Sequence, residues 1–297
     1  MATLAHVHSP ARQHDLQTTS RRRSLPADPL FDVRVEAQQS MVEVSLRRTA
    51  PPYISFRVLE ELALISHDMR EGKFGQPCAK ILSSQLEGVF SLGGDLQFFA
   101  RAIRAGDAGG LFRYARAGID EIWSNLTGAG IPGLTTAAAV GGEAQGGGFE
   151  AALSCHIIVA ERGTSFGFPE PLFGLYPGMG AFELIAARVD DDVARRMISK
   201  PERYSADFLH EVGIVDYLVP KGNAVAFAKE VLTLPPTEAH TARVSRLRQI
   251  RYQDLLSSIE HWTAQALGLS ERDLRSMGYL LGAQRSSRHG VEFAQAV

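Results

Sequence analysis

The stretch VGGEAQGGGFEAALSCHIIVAERGTSFGFPE, residues 140–170, predicts how the rest of the chain is arranged. A strand-like run of small apolar residues, Leu134 to Val140, leads into a turn dense in glycine. A short helix, Phe149 to Ser154, and a buried strand, His156 to Ala160, follow it. Glycines between a strand and a helix let the backbone approach a ligand and leave amide N–H groups free at the helix start. The stretch therefore predicts a site for a negatively charged oxygen.

Two glutamates accompany this turn. Glu150 follows Gly147 by three residues, which is one helical turn on the same face. Glu170 lies 20 residues further on and ends the segment Gly167-Phe168-Pro169-Glu170. Pro169 restricts the backbone beside the second carboxylate and so helps to aim it. An oxyanion-binding turn flanked by two acids is suited to chemistry on an acyl group.

The composition indicates an ordinary soluble globular protein. Of 297 residues, 45% are apolar and 22% are charged, and the net charge of −2 offers no argument for nucleic-acid binding. Cys78 and Cys155 match no metal-binding or redox spacing, so no metal or bound cofactor is expected. No apolar stretch reaches membrane-spanning length, and the first residues lack a secretory signal. We therefore expect a cytoplasmic protein without membrane insertion.

Changes of pattern along the chain predict three regions. Residues 1–30 are polar and predict a flexible tail, residues 31–222 an α/β core, and residues 223–297 a helical C-terminal region. Within the core, Lys80 to Phe90 and Ile214 to Val219 are predicted as strands.

The start of the core has the clearest local signals. Alternation predicts two strands that meet near Ala37 to Ser40, with the apolar residues Phe31, Val33 and Val35 on one and Val42, Val44 and Leu46 on the other. Val58 to Met69 has helical spacing, with Ser55 as the predicted N-cap and Gly72 as the stop. A longer amphipathic helix is predicted to end before Gly128.

Several motifs have simpler interpretations. Gly128 to Gly133 matches the dinucleotide-binding pattern G-x-G-x-x-G, but a helix precedes it and a strand follows, which is the reverse of the required order. Gly163 to Gly167 matches the nucleophile elbow of serine hydrolases with Ser165 as nucleophile, although Pro169 disfavours the helix that should follow. This serine-hydrolase alternative stays open. Cys155 and His156 are predicted as core residues and Glu143 as a solvated one.

Three ordered motifs resemble the crotonase (enoyl-CoA hydratase/isomerase) superfamily. The first oxyanion segment is Phe90-Ser91-Leu92-Gly93-Gly94-Asp95, and the second is Ala144-Gln145-Gly146-Gly147-Gly148-Phe149-Glu150. The glutamate loop runs from Gly167 through Glu170 to Gly178. Two departures from the common hydratase pattern are Leu92, where a small residue is usual, and His156, where aspartate often follows the cysteine.

This resemblance implies a fold and a set of site residues. The implied fold is α/β, a crotonase-like ββα spiral core with a helical C-terminal trimerisation region, as a homotrimer or dimer of trimers. The implied oxyanion donors are the backbone N–H groups of Gly94 and Gly147, and the implied acid/base pair is Glu150 and Glu170. Which glutamate is the acid stays open at this stage.

Four features point to a subgroup: the polar N-terminal extension, the turn from Gly141 to Glu150, the segment from Leu172 to Ala181 and the helical tail. In these the chain most resembles the diffusible signal factor synthases of bacterial quorum sensing. That resemblance implies dehydration of a medium-chain 3-hydroxyacyl thioester and its hydrolysis to a free cis-2-unsaturated fatty acid. The substrate would be carried on the phosphopantetheine of acyl carrier protein or of coenzyme A, and a cognate sensor kinase would be a partner. The alternatives are a plain enoyl-CoA hydratase and a non-catalytic crotonase-like scaffold. Phe166, Phe168 and Leu172 are expected at the pocket floor. The tail helices or the residues around Arg101 and Arg104 are candidates for holding an acidic carrier protein, with a merely solvated basic patch as the alternative.

Overall fold

A computed structural model describes residues 26–286 of the chain. Within that range the backbone forms ten strands. They are β1 (Phe31–Glu36), β2 (Met41–Leu46), β3 (Ala79–Ser84), β4 (Val89–Ser91), β5 (Thr135–Val140), β6 (Glu143–Gln145), β7 (Ile157–Glu161), β8 (Ser165–Gly167), β9 (Arg203–Ser205) and β10 (Tyr217–Val219).

Helices connect and cover these strands. They are α1 (Phe56–Arg70), α2 (Leu96–Arg104), α3 (Ala108–Leu126), α4 (Gly147–Ser154), α5 (Ala181–Ala186), α6 (Asp191–Ser199), α7 (Ala206–Glu211), α8 (Ala224–Val231), α9 (Glu238–Leu247), α10 (Tyr252–Leu267) and α11 (Glu271–Ser286). Short 3-10 turns occupy Ala37–Gln39, Gly128–Gly130 and Glu170–Phe173. No helix in residues 26–286 is long and apolar enough to cross a membrane.

The strands form two sheets, and from β3 to β8 the chain alternates between them. The larger sheet has the order β1-β2-β3-β5-β7-β10, and the smaller has the order β4-β6-β8-β9. The central strands β2, β3, β5 and β7 are parallel, whereas β1 is antiparallel to β2. A strand of the large sheet is followed by one of the small sheet and then by a helix, as in β5-β6-α4. This ββα repeat brings the ends of successive small strands together.

Small apolar residues in the large sheet fill a core on both of its faces. In β5, Ala138 and Val140 face one apolar cluster, while Ala137 and Ala139 face the other. This alternation is the period of two that a strand buried on both faces requires. The first cluster lies beneath α1, α3, α4 and α10, and α8 closes the second.

Most expected elements of the core are confirmed. The two strands at the start of the core pair as an antiparallel hairpin with Phe31 opposite Leu46. The Ser55 hydroxyl accepts a hydrogen bond from the Val58 amide at 3.3 Å and so caps α1. In the helical C-terminal region Leu255, Ile259, Trp262 and Ala266 are buried on one face of α10, as their spacing predicts.

Three expectations about the core are wrong. Lys80 to Phe90 is two strands in different sheets, because polar residues and Gly88, with φ +68°, turn the chain between β3 and β4. The glycine-rich turn contains β6, a three-residue strand too short to show a period. The last strand is limited to Tyr217–Val219, because Ile214 and Val215 bond back to Leu209.

The N-terminal 25 residues, where most of the predicted tail falls, lie outside the described residues. At the end of that region Leu30 is buried, and its amide donates to both carboxylate oxygens of Glu61 at 2.8 and 3.0 Å.

Candidate active site

Glu150 lies inside the protein on the first turn of α4. Its side chain is buried, with 1% relative exposure, and Oε1 accepts a hydrogen bond from the Met179 amide at 2.8 Å. The residue before the helix is its N-cap Gly146, whose φ of +50° favours glycine. A Cβ on Gly148 would overlap Ser91, so α4 packs tightly against the end of β4. These glycines allow the helix to place its carboxylate in the interior.

Glu170 reaches the same turn from the other side. It follows β8 and Pro169, and it begins a 3-10 turn that ends at Gly174. Oε1 is close enough to Gly146 that a Cβ there would overlap it. Oε2 is buried and has no hydrogen-bond partner among the described residues. A buried carboxylate oxygen without a protein partner is costly and is typical of a functional site.

The two glycines predicted as oxyanion donors also lie close together. A Cβ built on Gly147 would be 3.9 Å from the Gly94 amide nitrogen. Gly147 is the first residue of α4, where backbone amides have no partner within the helix. The structure therefore brings Gly94, Gly147, Glu150 and Glu170 to one place.

Packing leaves no room for a side chain at Gly94 in the first oxyanion segment. The Gly93 carbonyl accepts a hydrogen bond from the Ile54 amide at 2.8 Å. The Tyr114 hydroxyl donates to the Ile54 carbonyl at 2.6 Å, which anchors that neighbouring chain. A Cβ on Gly94 would lie 2.7 Å from the ring of Phe99 and 3.3 Å from the Tyr114 hydroxyl. Glycine is thus required here by close approach rather than by a turn.

Burial makes both site carboxyls hold their protons more tightly than usual. It raises the pKa of Glu170 to about 7. Burial, followed by the neighbouring charge of Glu170, raises the pKa of Glu150 well above its ordinary value, while the amides of Met179 and Ala181 oppose the shift. When the charge on one carboxyl makes it harder for its neighbour to ionise, the pair is suited to hold one proton near neutral pH.

Met179 is a site residue that the sequence interpretation missed. It lies 29 residues after Glu150, and its backbone amide holds that carboxylate. Its Cε is near enough to Gly147 to leave no space for a Cβ. The segment Gly178-Met179-Gly180 is visible in the sequence, but no local pattern relates it to α4.

The remaining candidates lie outside the site. His156 is buried and neutral, since burial lowers its pKa to about 4; Nδ1 accepts from the Thr136 amide at 3.2 Å and Nε2–H donates to the Leu126 carbonyl at 3.0 Å. Cys155 is fully buried. Both are core residues, as predicted.

Ser165, the nucleophile of the serine-hydrolase alternative, lies within β8. That strand leads into a 3-10 turn instead of a helix, so the geometry of a nucleophile elbow is absent there.

Two side-chain expectations are wrong. Glu143 is not solvated: Oε1 pairs with Arg203 at 2.8 Å and accepts from Gln145 at 3.2 Å, because β6 carries it into the small sheet. Leu172 is 43% exposed, since the 3-10 turn directs it outward, whereas Phe168 is buried and stacks on Phe149. Arg104 pairs with Glu271 at 3.2 Å on the surface.

The family of this chain follows from comparison with known proteins. A family model described as enoyl-CoA hydratase/isomerase matches residues 36–260, and the chain belongs to that family. The expected crotonase-like α/β fold is thereby confirmed. Residues 36–260 include all four predicted site positions.

Relatives in sequence agree with this assignment. The 2,3-dehydroadipyl-CoA hydratase of Escherichia coli (strain K12) is 28% identical over 171 residues, which is 58% of this chain and 62% of that protein. The peroxisomal fatty acid beta-oxidation multifunctional protein AIM1 of Arabidopsis thaliana is 30% identical over 143 residues, 48% of this chain and 19% of that protein. The matched segments thus span less than two thirds of either relative.

Among solved structures, human mitochondrial delta3-delta2-enoyl-CoA isomerase has a TM-score of 0.71 at 16% identity, covering 86% of this chain and 98% of that one. DspI of Pseudomonas aeruginosa has a TM-score of 0.57 at 22% identity, covering 93% and 100%. At such identities these similarities concern the fold.

Proposed function

We propose that this chain dehydrates a medium-chain 3-hydroxyacyl thioester and hydrolyses the product, releasing a free cis-2-unsaturated fatty acid of the diffusible signal factor family. The observation that carries the proposal is the convergence of a buried carboxyl and a partly buried one, each with a raised pKa, on a turn where Gly94 and Gly147 lie side by side. Family membership supports acyl-thioester chemistry. The resemblance of the turn from Gly141 to Glu150 and of the segment from Leu172 to Ala181 to signal synthases supports the particular product.

Dehydration uses the amides and the carboxyls together. The thioester oxygen accepts hydrogen bonds from Gly94 and Gly147, so the charge of the enolate is stabilised as the C2 proton leaves. One carboxylate takes that proton, and the other carboxyl protonates the 3-hydroxyl group, which departs as water. The C2–C3 double bond forms with the electron pair released from the C2–H bond.

The two pKa directions favour one division of roles. Burial raises the pKa of Glu170 to about 7, so it is ionised above neutral pH, and its Oε2 has no partner among the described residues; we therefore assign it the base role. Its negative charge helps to keep Glu150 protonated, which suits an acid. After the proton transfers Glu170 is neutral and Glu150 is charged, and the Met179 amide stabilises that charge.

Hydrolysis uses the same oxyanion donors. Water attacks the thioester carbon, the tetrahedral oxyanion forms between the amides of Gly94 and Gly147, and the C–S bond breaks. One proton of the water passes to the ionised carboxylate, and the neutral carboxyl of the pair protonates the sulfur as it leaves, so the pair holds one proton before and after the step. The products are a free acid and a free phosphopantetheine thiol.

The carrier, assembly and partners are also parts of this proposal. The substrate is borne by acyl carrier protein or coenzyme A, the chain assembles as a trimer or dimer of trimers, and a cognate sensor kinase binds it. The resemblance supports these points, and the names of hydratase relatives support a thioester of coenzyme A in particular.

The pH dependence of kcat/KM tests the division of roles. We expect a bell-shaped profile, because the active form has one carboxyl ionised and one neutral. Activity should fall as the pH decreases through about 7, where Glu170 takes up its proton, and should fall again at higher pH, where Glu150 loses its own. A profile flat from pH 6 to 8 would contradict this assignment.

Mass spectrometry of the products tests the function. The purified protein is incubated with 3-hydroxydodecanoyl-acyl carrier protein and, separately, with the coenzyme A thioester. A free cis-2-enoic acid together with the free carrier thiol is the expected result. An enoyl thioester without free acid would identify an enoyl-CoA hydratase instead, and no turnover of either substrate would overturn the proposal.

A further inference from the structure

A glutamine near the end of the described chain contacts the first oxyanion segment. Gln284 on α11 has a side chain that is 3% exposed. Its Nε2 donates to the Leu92 carbonyl at 2.9 Å and to the Gly94 carbonyl at 3.1 Å. These bonds connect positions about 190 residues apart, and the side-chain amide uses both of its N–H groups in them.

Gln284 and Ile54 together hold three successive carbonyls. The Gly93 carbonyl, between the two that Gln284 binds, accepts from the Ile54 amide at 2.8 Å. The Gly93 carbonyl and the Gly94 N–H belong to the same peptide unit, and in a planar trans peptide they point in opposite directions. The hydrogen bond from Ile54 to that carbonyl therefore directs the Gly94 N–H away from Ile54. The two bonds from Gln284 fix the flanking peptides. Gly93 has a φ of +84°, and a glycine backbone can adopt many other conformations. The two hydrogen bonds from Gln284 restrict that freedom.

Other contacts hold α11 in place. Leu274 and Met277 are buried in the main apolar cluster. The start of α11 lies against the 3-10 turn that carries Glu170. Gly174 ends that turn, and a Cβ built on it would be 3.5 Å from Asp273 of α11. The helix is therefore a fixed support from which Gln284 reaches the oxyanion segment.

We propose that Gln284 is a positioning residue that holds the Gly94 amide in the orientation needed to bind the oxyanion. This inference rests on the proposed function for the reaction it serves. Gln284 acts through the backbone of Leu92 and Gly94. Its Oε1 is buried and has no hydrogen-bond partner among the described residues, so the two N–H bonds to the oxyanion segment are the hydrogen bonds that orient this side-chain amide.

Gln284→Met and Gln284→Glu test this role, because both keep the length of the side chain and remove the neutral donor pair. Small displacements of catalytic groups and the loss of oxyanion donors have large kinetic effects, so we expect kcat to fall about 10- to 100-fold. KM should stay within about threefold, since ground-state binding depends less on the oxyanion donors. The control is Gln253→Met, the same substitution at an exposed glutamine of α10, which should leave kcat unchanged.

A second readout does not depend on turnover. A 3-oxoacyl-CoA bound in the site is expected to enolise, and the enolate is detected by its ultraviolet absorbance. The variants should show a smaller enolate fraction at saturation than the wild type, with binding retained. A variant with wild-type kcat and enolate fraction would overturn the role of Gln284, and so would a raised KM at unchanged kcat.

The two proposals can fail separately. If the wild type gives an enoyl thioester without free acid, the signal-synthase function fails while kcat and the enolate signal still measure the effect of Gln284. If a variant does not fold, the other variant supplies both measurements, with the thermal midpoint Tm reported for each. If neither folds, Gln284 is a structural residue and the inference is wrong.

Discussion

Replacing Glu150 with glutamine is expected to lower kcat by about 100- to 10,000-fold, the range usual for a lost general acid or base. The substitution keeps the shape of the side chain and an oxygen that can accept from the Met179 amide, which bonds Glu150 Oε1 at 2.8 Å. Only the transferable proton is removed. The measurement is single-turnover dehydration of a 3-hydroxyacyl thioester at pH 7, with substrate binding measured separately.

Stability provides a check on the cause of that loss. Burial raises the pKa of Glu150 well above its ordinary value, so the ionised form is disfavoured in the folded protein. The glutamine variant carries no charge to bury, and its Tm should equal or exceed that of the wild type. A large fall in activity with a lowered Tm would point to misfolding instead of chemistry.

Glu143→Gln is the matched control for Glu150→Gln. Glu143 precedes the same helix and is partly buried. It pairs with Arg203 in the small sheet, whereas Glu150 is influenced by the charge of Glu170. We expect kcat within about threefold of the wild type, because glutamine keeps an oxygen that can accept from Arg203, and an ion pair whose arginine is half exposed has a small energetic value. Equal losses in the two variants would contradict the assignment of Glu150 to catalysis.

The sequence was sufficient for the parts of the site that local patterns encode. Gly147 and Glu150 are one helical turn apart, and Pro169 precedes Glu170 directly, so spacing and backbone restriction are visible in the chain. Family motifs added the position of Gly94. The structure brings these residues together because β4, β6 and β8 are neighbours in one sheet, and each leads directly to a segment that carries a site residue.

The missed features depend on contacts between distant residues. Met179 contacts Glu150 through its backbone amide, and Gln284 contacts the first oxyanion segment through its side-chain amide. Neither residue has a periodic or capping signal nearby in the sequence. The strands of the small sheet have three residues each, which is too short for an alternating pattern. Glu143 was misinterpreted for the same reason, since its partner Arg203 lies on another strand of that sheet.

Replacing Glu170 with glutamine is expected to cause a comparable loss, about 100- to 10,000-fold in kcat, together with a change in pH dependence. Because Glu170 ionises near pH 7, the acid limb of the wild-type profile should disappear from the residual activity. Combining this substitution with Glu150→Gln should cost much less than the product of the single losses, since the two groups act on the same reaction.

The stability of the Glu170 variant should also depend on pH in a predictable direction. In the folded protein the pKa of Glu170 is raised from 4.5 to about 7, so the folded state binds more protons than the unfolded state between these values. Wild-type stability therefore decreases as the pH rises through this window, and above pH 7 the full destabilisation is present. Glu170→Gln lacks this destabilisation. Its free energy of unfolding should exceed that of the wild type by about 1–3 kcal/mol at pH 8 and differ little from it at pH 4. Denaturant unfolding at the two pH values measures the difference. An equal gain at both would mean that Glu170 titrates normally in the folded protein, and the base role assigned to it would then lose its physical basis.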